Sequence, residues 1–212
     1  MKINCINLER AIDRREKTLN SWKNFDIFFF DAIDKTVIME NGDIIPYLKK
    51  PRIRELNYGE RACATSHYLL LKKLLKTNDE WFYIMEDDMS CNCTPKSLEE
   101  DTINMRNECP NVSLFLLHGK HNSCKVFKKQ INTLTTIPAA TNGRCWGTCF
   151  YMINRRGAVD FMNYIETTEL PIDCYWDKFI INEQMAFANH PYAHHIGVDT
   201  YIQPRGNYTN IY

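Results

Sequence analysis

Residues 81–88 read WFYIMEDD, an apolar run that ends in three adjacent carboxylates. The run at 81–85 is short and bounded by polar residues, so it predicts a buried strand. Neighbouring carboxylates repel one another, which costs stability unless a cation neutralises them. Oxygen ligands of this kind suit a hard cation such as Mn²⁺ or Mg²⁺. A solvated acidic turn is the alternative interpretation of the same residues.

The sequence before this stretch alternates between strand and helix patterns. Strands are predicted at 3–8 and 25–32, and the second is an aromatic run that we expect to be buried. Between them, Ile12, Leu19 and Trp22 stand at helical spacing and predict a helix. The chain before the carboxylate stretch therefore begins with a predicted strand, helix and strand.

Residues typical of helix starts predict where helices begin in the middle and the second half of the chain. Residues 35–56 contain scattered glycine and proline and predict a loop. Asn57 and Glu60 have the spacing of a capping box and open a helix to about residue 76. Thr94 and Pro95 form a cap and first-turn pair. The remaining predictions are a helix at 94–109, strands at 112–117 and 150–153, and a helix around 158–165.

This alternation predicts the fold class. Strands separated by helices favour an α/β domain with a mostly parallel central sheet flanked by helices on both faces. We expect a single domain over residues 1–212. In such sheets, ligands bind at the carboxyl ends of the strands, which is where the carboxylates of 86–88 fall.

Composition excludes several classes of function. Lys+Arg and Asp+Glu each number 26, so the formal net charge is zero and a dedicated nucleic-acid binder is not expected. Apolar runs are too short for a transmembrane helix. No GxGxxG or GxxxxGK[ST] loop occurs, which disfavours dinucleotide-binding and P-loop folds.

Whether the nine cysteines are free thiols depends on whether the protein is in a reducing compartment. Charges interrupt the N-terminus before an apolar signal segment can form, so we expect a cytoplasmic protein without a signal peptide. In that reducing compartment thiols stay free. Cys91 and Cys93 lack the gap of a zinc knuckle, and His190 and His194 have no matching cysteine pair upstream, so no structural zinc site is expected.

Six segments in a fixed order resemble glycosyltransferase family 25. They are INLERAIDRR (6–15), FFFDAID (28–34), NYGERACATSH (57–67), FYIMEDD (82–88), CWGTCFYMINRRGA (145–158) and LPID (170–173). The resemblance implies a GT-A-type (Rossmann-like) fold, a UDP-sugar donor, a divalent metal (Mn²⁺ or Mg²⁺) and transfer with inversion. It divides the chain into a nucleotide-sugar-binding half at 1–90 and an acceptor-side half at 91–212.

The same resemblance implies a set of donor-binding residues. They are Asn7, Arg10, Arg14, Ala32, Asp34, Ser66, His67, Glu86, Asp87 and Gly147. The arginines are expected at the donor diphosphate, which a planar guanidinium suits. The alternative for Arg10 and Arg14 is a solvated helix face, and the alternative for His67 is a hydrogen-bonded histidine in the structure.

Catalytic and metal-binding roles complete the set. Asp88 is predicted to be a direct metal ligand, with Glu86 as a second carboxylate and His194 or His195 as a late imidazole ligand. Asp173 is predicted to be the general base that takes the proton of the acceptor hydroxyl. The alternative for Asp173 is a helix cap, in which case Asp177 or Glu183 would be the base.

These residues predict an enzyme that moves a hexose, galactose or glucose, from a UDP-sugar to a hydroxyl of a glycan or protein. One alternative is a catalytically inactive nucleotide-sugar or glycan-binding module of the same fold. Another is a metal-dependent phosphohydrolase or nuclease, which would need a basic groove that the neutral charge does not suggest. The sugar and the acceptor are left open.

Overall fold

A computed structural model of the chain describes residues 1–45, 55–118, 128–130, 134–138 and 147–196. The elements in its first half are β1 (Lys2–Asn7), α1 (Ile12–Ser21), β2 (Asp26–Asp31), α2 (Lys35–Asn41), α3 (Tyr58–Leu74), β3 (Trp81–Glu86), β4 (Met89–Cys91) and α4 (Pro95–Glu108). Those in its second half are β5 (Leu114–Leu116), β6 (Lys128–Gln130), β7 (Thr135–Pro138), β8 (Phe150–Asn154), α5 (Arg155–Thr167), a 3₁₀ helix (Ile172–Tyr175), α6 (Trp176–Ile181), β9 (Met185–Ala188) and β10 (Ala193–His195).

Eight strands form the central sheet in the order β2-β1-β3-β8-β5-β9-β7-β6. β1 pairs in parallel with β2 and β3, and β5 pairs in parallel with β9. β8 runs antiparallel between β3 and β5, and β7 runs antiparallel between β9 and β6. Six strands therefore point one way, and the predicted α/β class with a mostly parallel sheet is confirmed. A separate two-stranded ribbon joins β4 to β10.

Apolar residues cover both faces of the sheet. Along β3, Phe82 and Ile84 belong to one buried cluster, while Tyr83 and Met85 belong to the other. Successive side chains of a strand point to opposite faces, so a strand that is apolar at every position is buried on both sides. The predicted helix starts are also confirmed, with a capping box at Asn57 and a Thr94–Pro95 start for α4.

The predicted helix forms as α1, but its inward face is polar rather than apolar. Ile12 and Leu19 are 64% and 47% exposed, while Arg14 and Thr18 are buried. Of the three apolar residues, Trp22, directly after the last residue of the helix, belongs to the core. The reason is location, because α1 packs over the carboxylate stretch, and the Thr18 hydroxyl donates to the backbone carbonyl of Asp87 at 3.2 Å. A polar surface beneath the helix selects polar residues for its inward face.

Two further predictions for the first half are wrong. β2 is the edge strand of the sheet and is half-buried, with Phe28 beneath the ammonium groups of Lys2 and Lys73 at 4.1 and 4.8 Å. Residues 35–41, predicted as loop, form α2. Its cap is Asp34, whose carboxylate accepts the Thr36 N–H at 3.0 Å. The helix is short and buries only Ile38, so it lacks the periodic apolar stripe that identifies a helix in sequence.

Candidate active site at the carboxyl edge of the sheet

A cleft opens where β1, β2 and β3 end. The strands are in register there, with Ile6 opposite Glu86 and Asn7 opposite Asp31. α3 supplies another wall of the cleft. The predicted site residues that line it are Arg10, Arg14, Ala32, Asp34, Ser66, His67, Glu86, Asp87 and Asp88. Four separate sequence segments are thus brought to one edge of the sheet.

Asp87 is the buried anchor of the carboxylate stretch. Its Oδ2 accepts the Asn7 side-chain amide at 2.7 Å, and its Oδ1 lies 3.1 Å from the Arg14 guanidinium. Burial raises its pKa to about 6, although Arg14 and Asn7 favour the ionised form. Because both oxygens have protein partners, Asp87 holds α1 and β1 to the strand end.

Asp88 presents a different environment. Its Oδ2 lies 2.9 Å from His195 Nε2 and 3.4 Å from the Arg14 guanidinium. Its Oδ1 is buried and has no hydrogen-bond partner among the described residues. Buried carboxylate oxygens are normally paired, so this oxygen is available to a ligand. A carboxylate oxygen is a suitable ligand for a hard cation, because Mn²⁺ and Mg²⁺ bind preferentially to oxygen.

The ribbon of β4 and β10 brings His195 to this point. His195 pairs with Met89, directly after the carboxylates, and the Ile196 N–H donates to the Asp88 carbonyl at 2.9 Å. The hydrogen bond to Asp88 raises the pKa of His195. His194 is exposed, and strand alternation directs its side chain to the other side of the ribbon. The structure therefore brings His195, and not His194, to the carboxylates.

Glu86 faces α3 rather than Asp88. The Thr148 hydroxyl donates to Glu86 Oε1, and His67 Nε2 lies 3.5 Å from the same oxygen. Burial would raise the pKa of Glu86, but the contacts with His67 and Thr148 outweigh it and lower the pKa. His67 is fully buried and shares a 2.8 Å hydrogen bond between its Nδ1 and the Tyr151 hydroxyl. Neither Thr148 nor Tyr151 has a role predicted from sequence, because their partners, Glu86 on β3 and His67 on α3, are distant along the chain.

The remaining donor-side residues are held by local contacts. Arg10 is about half exposed and pairs with Asp34 at 2.6 Å. Burial would raise the pKa of Asp34, but the Thr36 N–H and Arg10 outweigh it and lower the pKa. The Ser66 hydroxyl accepts the Ile33 N–H at 2.8 Å, so it ties the end of β2 to α3. Arg14 is buried, which overturns the solvated-face alternative for that residue.

Asp173 lies in the 3₁₀ helix and contacts Gly147. Its Oδ2 accepts the Gly147 N–H at 3.1 Å, and the Trp176 indole donates to the Gly147 carbonyl at 3.0 Å. Gly147 has φ of 86°, a conformation that favours glycine. Pro171 occupies the cap position of the 3₁₀ helix, so the interpretation of Asp173 as a cap is wrong. Burial raises the pKa of Asp173, and the nearby Glu86 and Glu60 raise it further.

Two residues from the sequence motifs and alternatives remain to be considered. Trp146, which shares a motif with Gly147, lies outside the described residues. Glu183, one alternative base, lies in the exposed turn after α6 with φ of 55°. The cleft thus combines an available carboxylate oxygen on Asp88 with two arginines, while the half-buried carboxylate of Asp173 is not among its lining residues.

Comparison with known proteins identifies relatives of the chain. A family model described as glycosyltransferase family 25 (LPS biosynthesis protein) matches residues 1–176. A glycosyltransferase 25 family member of Aedes aegypti is 32% identical over 100 residues, covering 41% of this chain and 16% of that protein. A lipooligosaccharide biosynthesis protein of Haemophilus influenzae is 36% identical over 96 residues. The match covers 42% of this chain and 34% of the length of that protein.

A protein of Acanthamoeba polyphaga mimivirus, named as a glycosyltransferase, is 28% identical over 77% of this chain and 52% of its own length. The chain therefore matches about half or less of the length of these relatives. Among solved structures, mouse xyloside xylosyltransferase 1 aligns over 90% of this chain and 71% of its own, with a TM-score of 0.46 and 7% identity.

A glycosyltransferase involved in the glycosylation of the major capsid of PBCV-1 aligns over 77% of this chain and 65% of its own, with a TM-score of 0.39 and 11% identity. Within the part of the chain that the structure describes, no helix has the length and apolar character needed to cross a membrane.

Proposed function

The chain belongs to glycosyltransferase family 25, and from that premise we propose that it transfers a hexose, galactose or glucose, from a UDP-sugar to a hydroxyl of a glycan or protein. We propose further that the transfer is metal-dependent and inverts the anomeric configuration. The observation that carries the proposal is the cleft at the carboxyl ends of β1, β2 and β3, where Asp88 keeps a buried oxygen without a protein partner among the described residues. α/β sheets bind their ligands at this edge.

Asp88 and His195 are the residues that we propose hold Mn²⁺ or Mg²⁺. Asp88 Oδ1 offers the hard oxygen that both ions prefer, and imidazole is an acceptable ligand for Mn²⁺. Asp87 is not a ligand in this proposal, since Asn7 and Arg14 already engage its two oxygens. A divalent cation bound at this position takes up negative charge that develops on a departing diphosphate.

In this proposal the donor is bound by the two arginines and by the cleft-lining residues that follow β2. Arg14 neutralises Asp87 and Asp88, which lets an anionic diphosphate approach an otherwise acidic edge. Arg10, about half exposed at the cleft, contacts the diphosphate with its planar guanidinium. Ala32 and Asp34 border the nucleoside, because they line the cleft beyond the end of β2.

Asp173 acts as the general base. The acceptor oxygen bonds to the anomeric carbon as the bond from that carbon to UDP breaks, and the acceptor proton passes to the Asp173 carboxylate. Support comes from the partial burial of this group, which raises its pKa above that of an ordinary aspartate and makes it a stronger base. The Gly147 N–H holds one carboxylate oxygen, so the group is oriented before the substrate binds.

The experiment that tests this function measures UDP release from a panel of UDP-sugars, with Mn²⁺, with Mg²⁺ and with EDTA. We expect slow hydrolysis of one UDP-hexose in the presence of the metal and none with EDTA, because water can replace a missing acceptor. Calorimetric titration of UDP with Mn²⁺ measures binding separately from turnover.

Three outcomes contradict all or part of the proposal. Binding of UDP with Mn²⁺ but no turnover of any UDP-sugar, with or without hydroxyl acceptors, would identify a nucleotide-sugar-binding module. The absence of both binding and turnover would remove the UDP-sugar assignment altogether. Turnover that is unaffected by EDTA would leave a transferase but contradict the role of Asp88 in metal binding.

A further inference from the structure

We propose that the cleft contains a second metal site, built from Cys63, His67 and Glu86, that binds a zinc-like divalent cation. It goes beyond the hard cation proposed at Asp88, since it uses other side chains and a different ligand chemistry. The potential ligand atoms, Cys63 Sγ, a His67 ring nitrogen and a Glu86 carboxylate oxygen, all lie within 4.8 Å of one another. All three residues line the cleft, so a fourth coordination position would face it.

The distances suit tetrahedral coordination. Zinc bonds of about 2.0–2.3 Å give neighbouring ligand atoms a separation of about 3.3–3.8 Å in a tetrahedron. His67 Nε2 and Glu86 Oε1 are already 3.5 Å apart. Cys63 Sγ needs a movement of about 1 Å or less to reach the same range. Three protein ligands with one open position is the composition of catalytic rather than structural zinc sites.

The ligands are held by the elements that carry them. Cys63 and His67 are one turn apart on α3, so they share a face of a helix whose start is fixed by the capping box at Asn57. The Tyr151 hydroxyl contacts His67 Nδ1, and the Thr148 hydroxyl contacts Glu86. Metal-binding histidines usually carry such a partner on the other ring nitrogen, which orients the ring. Metal binding selects the tautomer in which Nδ1–H donates to Tyr151.

An unsatisfied atom points independently to a ligand. His67 is 0% exposed, and its Nε2 makes no hydrogen bond within the described part of the chain. A buried polar atom without a partner destabilises the fold, so a bound cation would relieve that cost. Glu86 at 3.5 Å is beyond the usual N–H···O distance, whereas both groups could bind one cation placed between them.

Charge and softness determine which ion fits. A thiolate and a carboxylate balance a dication when the imidazole is neutral, so the buried site would be neutral overall. Glu60, Asp88 and Asp173 are electrostatic neighbours of Cys63 and add negative potential that attracts a cation. Sulfur ligands favour Zn²⁺ over Mg²⁺ or Mn²⁺. The ligand set therefore favours Zn²⁺, Co²⁺ or Cd²⁺.

The test uses Co²⁺ as a spectroscopic substitute for Zn²⁺ on the intact, reduced chain. We expect Co²⁺ to produce a thiolate-to-metal charge-transfer band in the near ultraviolet that saturates at about one ion per chain. Zn²⁺ should displace the band, and a large excess of Mg²⁺ should not. Cys63→Ser should remove the band, because serine retains the shape of the side chain but not the sulfur ligand.

Matched variants control for other thiols. Cys149→Ser changes a half-buried thiol close to Gly147 that is not part of the cluster. Cys91→Ser/Cys93→Ser removes a pair whose sulfurs are 4.0 Å apart and could bind Co²⁺ themselves. Both variants should keep the band. Loss of the band only in the double variant, or its persistence in Cys63→Ser, overturns the proposal, as does the absence of Co²⁺ binding.

A second measurement needs no variant. Zn²⁺ should protect Cys63 of the unmodified protein from a small thiol reagent, methyl methanethiosulfonate, while Cys149 reacts at an unchanged rate, as read by peptide mass spectrometry. Equal reactivity of Cys63 with and without Zn²⁺ counts against the site. Neither measurement requires sugar transfer, so failure of this inference is distinguishable from failure of the proposed function.

Discussion

The three adjacent carboxylates at 86–88 have different partners in the structure. Glu86 faces His67 and Thr148, Asp87 is held by Asn7 and Arg14, and Asp88 keeps one buried oxygen without a hydrogen bond among the described residues. The end of β3 separates their directions, because the chain leaves strand geometry after Glu86. Adjacency in sequence therefore does not make the three residues equivalent.

The first prediction concerns Asp88→Asn. We expect turnover to fall at least a hundredfold, because an amide oxygen is a much weaker ligand for a hard cation than a carboxylate. The free energy of unfolding should change by about 1 kcal/mol or less, since Arg14 keeps its ion pair with Asp87. UDP-sugar hydrolysis and denaturant unfolding measure the two effects.

Asp31→Asn is the matched control for this variant. Asp31 is also at the carboxyl end of a strand, but it is exposed and pairs with Arg15 at 3.3 Å outside the cleft lining. It should retain activity within twofold. Wild-type turnover in Asp88→Asn would show that the proposed metal ligand is wrongly assigned.

The second prediction separates two roles of Asp173. Asp173→Asn can still accept the Gly147 N–H, so it keeps the loop contact and loses only the base. Transfer should fall by about 10²–10⁴-fold, with UDP affinity nearly unchanged. Asp173→Ala loses both functions and should also lower the free energy of unfolding by about 1 kcal/mol.

The comparison between these two variants decides the role. If Asp173→Asn transfers sugar at the wild-type rate and only Asp173→Ala is impaired, the carboxylate serves to hold Gly147. The base would then have to be sought elsewhere, at Asp177 among the alternatives named from sequence.

The third prediction is a pH dependence. A general base must be ionised, so kcat/KM should rise as pH increases through the pKa of Asp173 and then level off. Burial raises this pKa, so the acid limb should lie above the value of about 3.9 for an ordinary aspartate. Rates measured at saturating Mn²⁺, with UDP binding followed at each pH, would separate this limb from loss of the metal. The limb should be missing from the residual activity of Asp173→Asn.

At the scale of elements, α1 shows how a local environment reverses an expected face. Its apolar residues Ile12 and Leu19 are exposed, and its buried residues Arg14 and Thr18 contact the carboxylate stretch. Helical periodicity identified the helix correctly, because spacing depends on the geometry of the helix alone. The buried face depended on what lies beneath it, and here that surface is charged.

The fourth prediction tests the packing of α5 against the sheet. A Cβ added at Gly157 would lie 2.8 Å from the Ser113 carbonyl oxygen and 2.9 Å from Ile153 Cγ1. Overpacking of this kind costs about 1–3 kcal/mol, while replacing glycine by alanine in a helix gains about 1 kcal/mol. Gly157→Ala should therefore lower the free energy of unfolding by up to about 2 kcal/mol.

Val159→Ala provides the comparison for Gly157→Ala, since Val159 is exposed on the same helix. Its effect should stay within about 0.5 kcal/mol, as for most surface substitutions. Both variants can be measured by denaturant unfolding. A stabilised Gly157→Ala would mean that α5 can move away from Ser113 at little cost.

At the scale of the whole molecule, the sheet order brings distant segments together. β3 lies between β1 and β8, so Glu86 meets Thr148 from the segment before β8 while Asp87 meets Asn7 at the end of β1. The β4–β10 ribbon adds His195 from the far end of the described chain. Parallel strands place their carboxyl ends on one edge, which is why the site forms there.

The sequence by itself determined the α/β class, the helix starts at Asn57 and Thr94, and the strand that ends in the carboxylates. Hydrophobic runs and cap residues act locally, so they can be interpreted without knowing the rest of the fold. Motif resemblance also identified the family, which the family model over residues 1–176 confirms. Its assignment of individual site residues stays a prediction.

Only the tertiary structure decided which side chains meet. The contact of His195 with Asp88, the grouping of Cys63, His67 and Glu86, and the edge position of β2 all depend on strand order. Strand order follows from long-range pairing, which leaves no local periodicity or spacing in the sequence. For the same physical reason, Asp173 could be proposed as a base from its motif, but its contact with Gly147 became visible only in the fold.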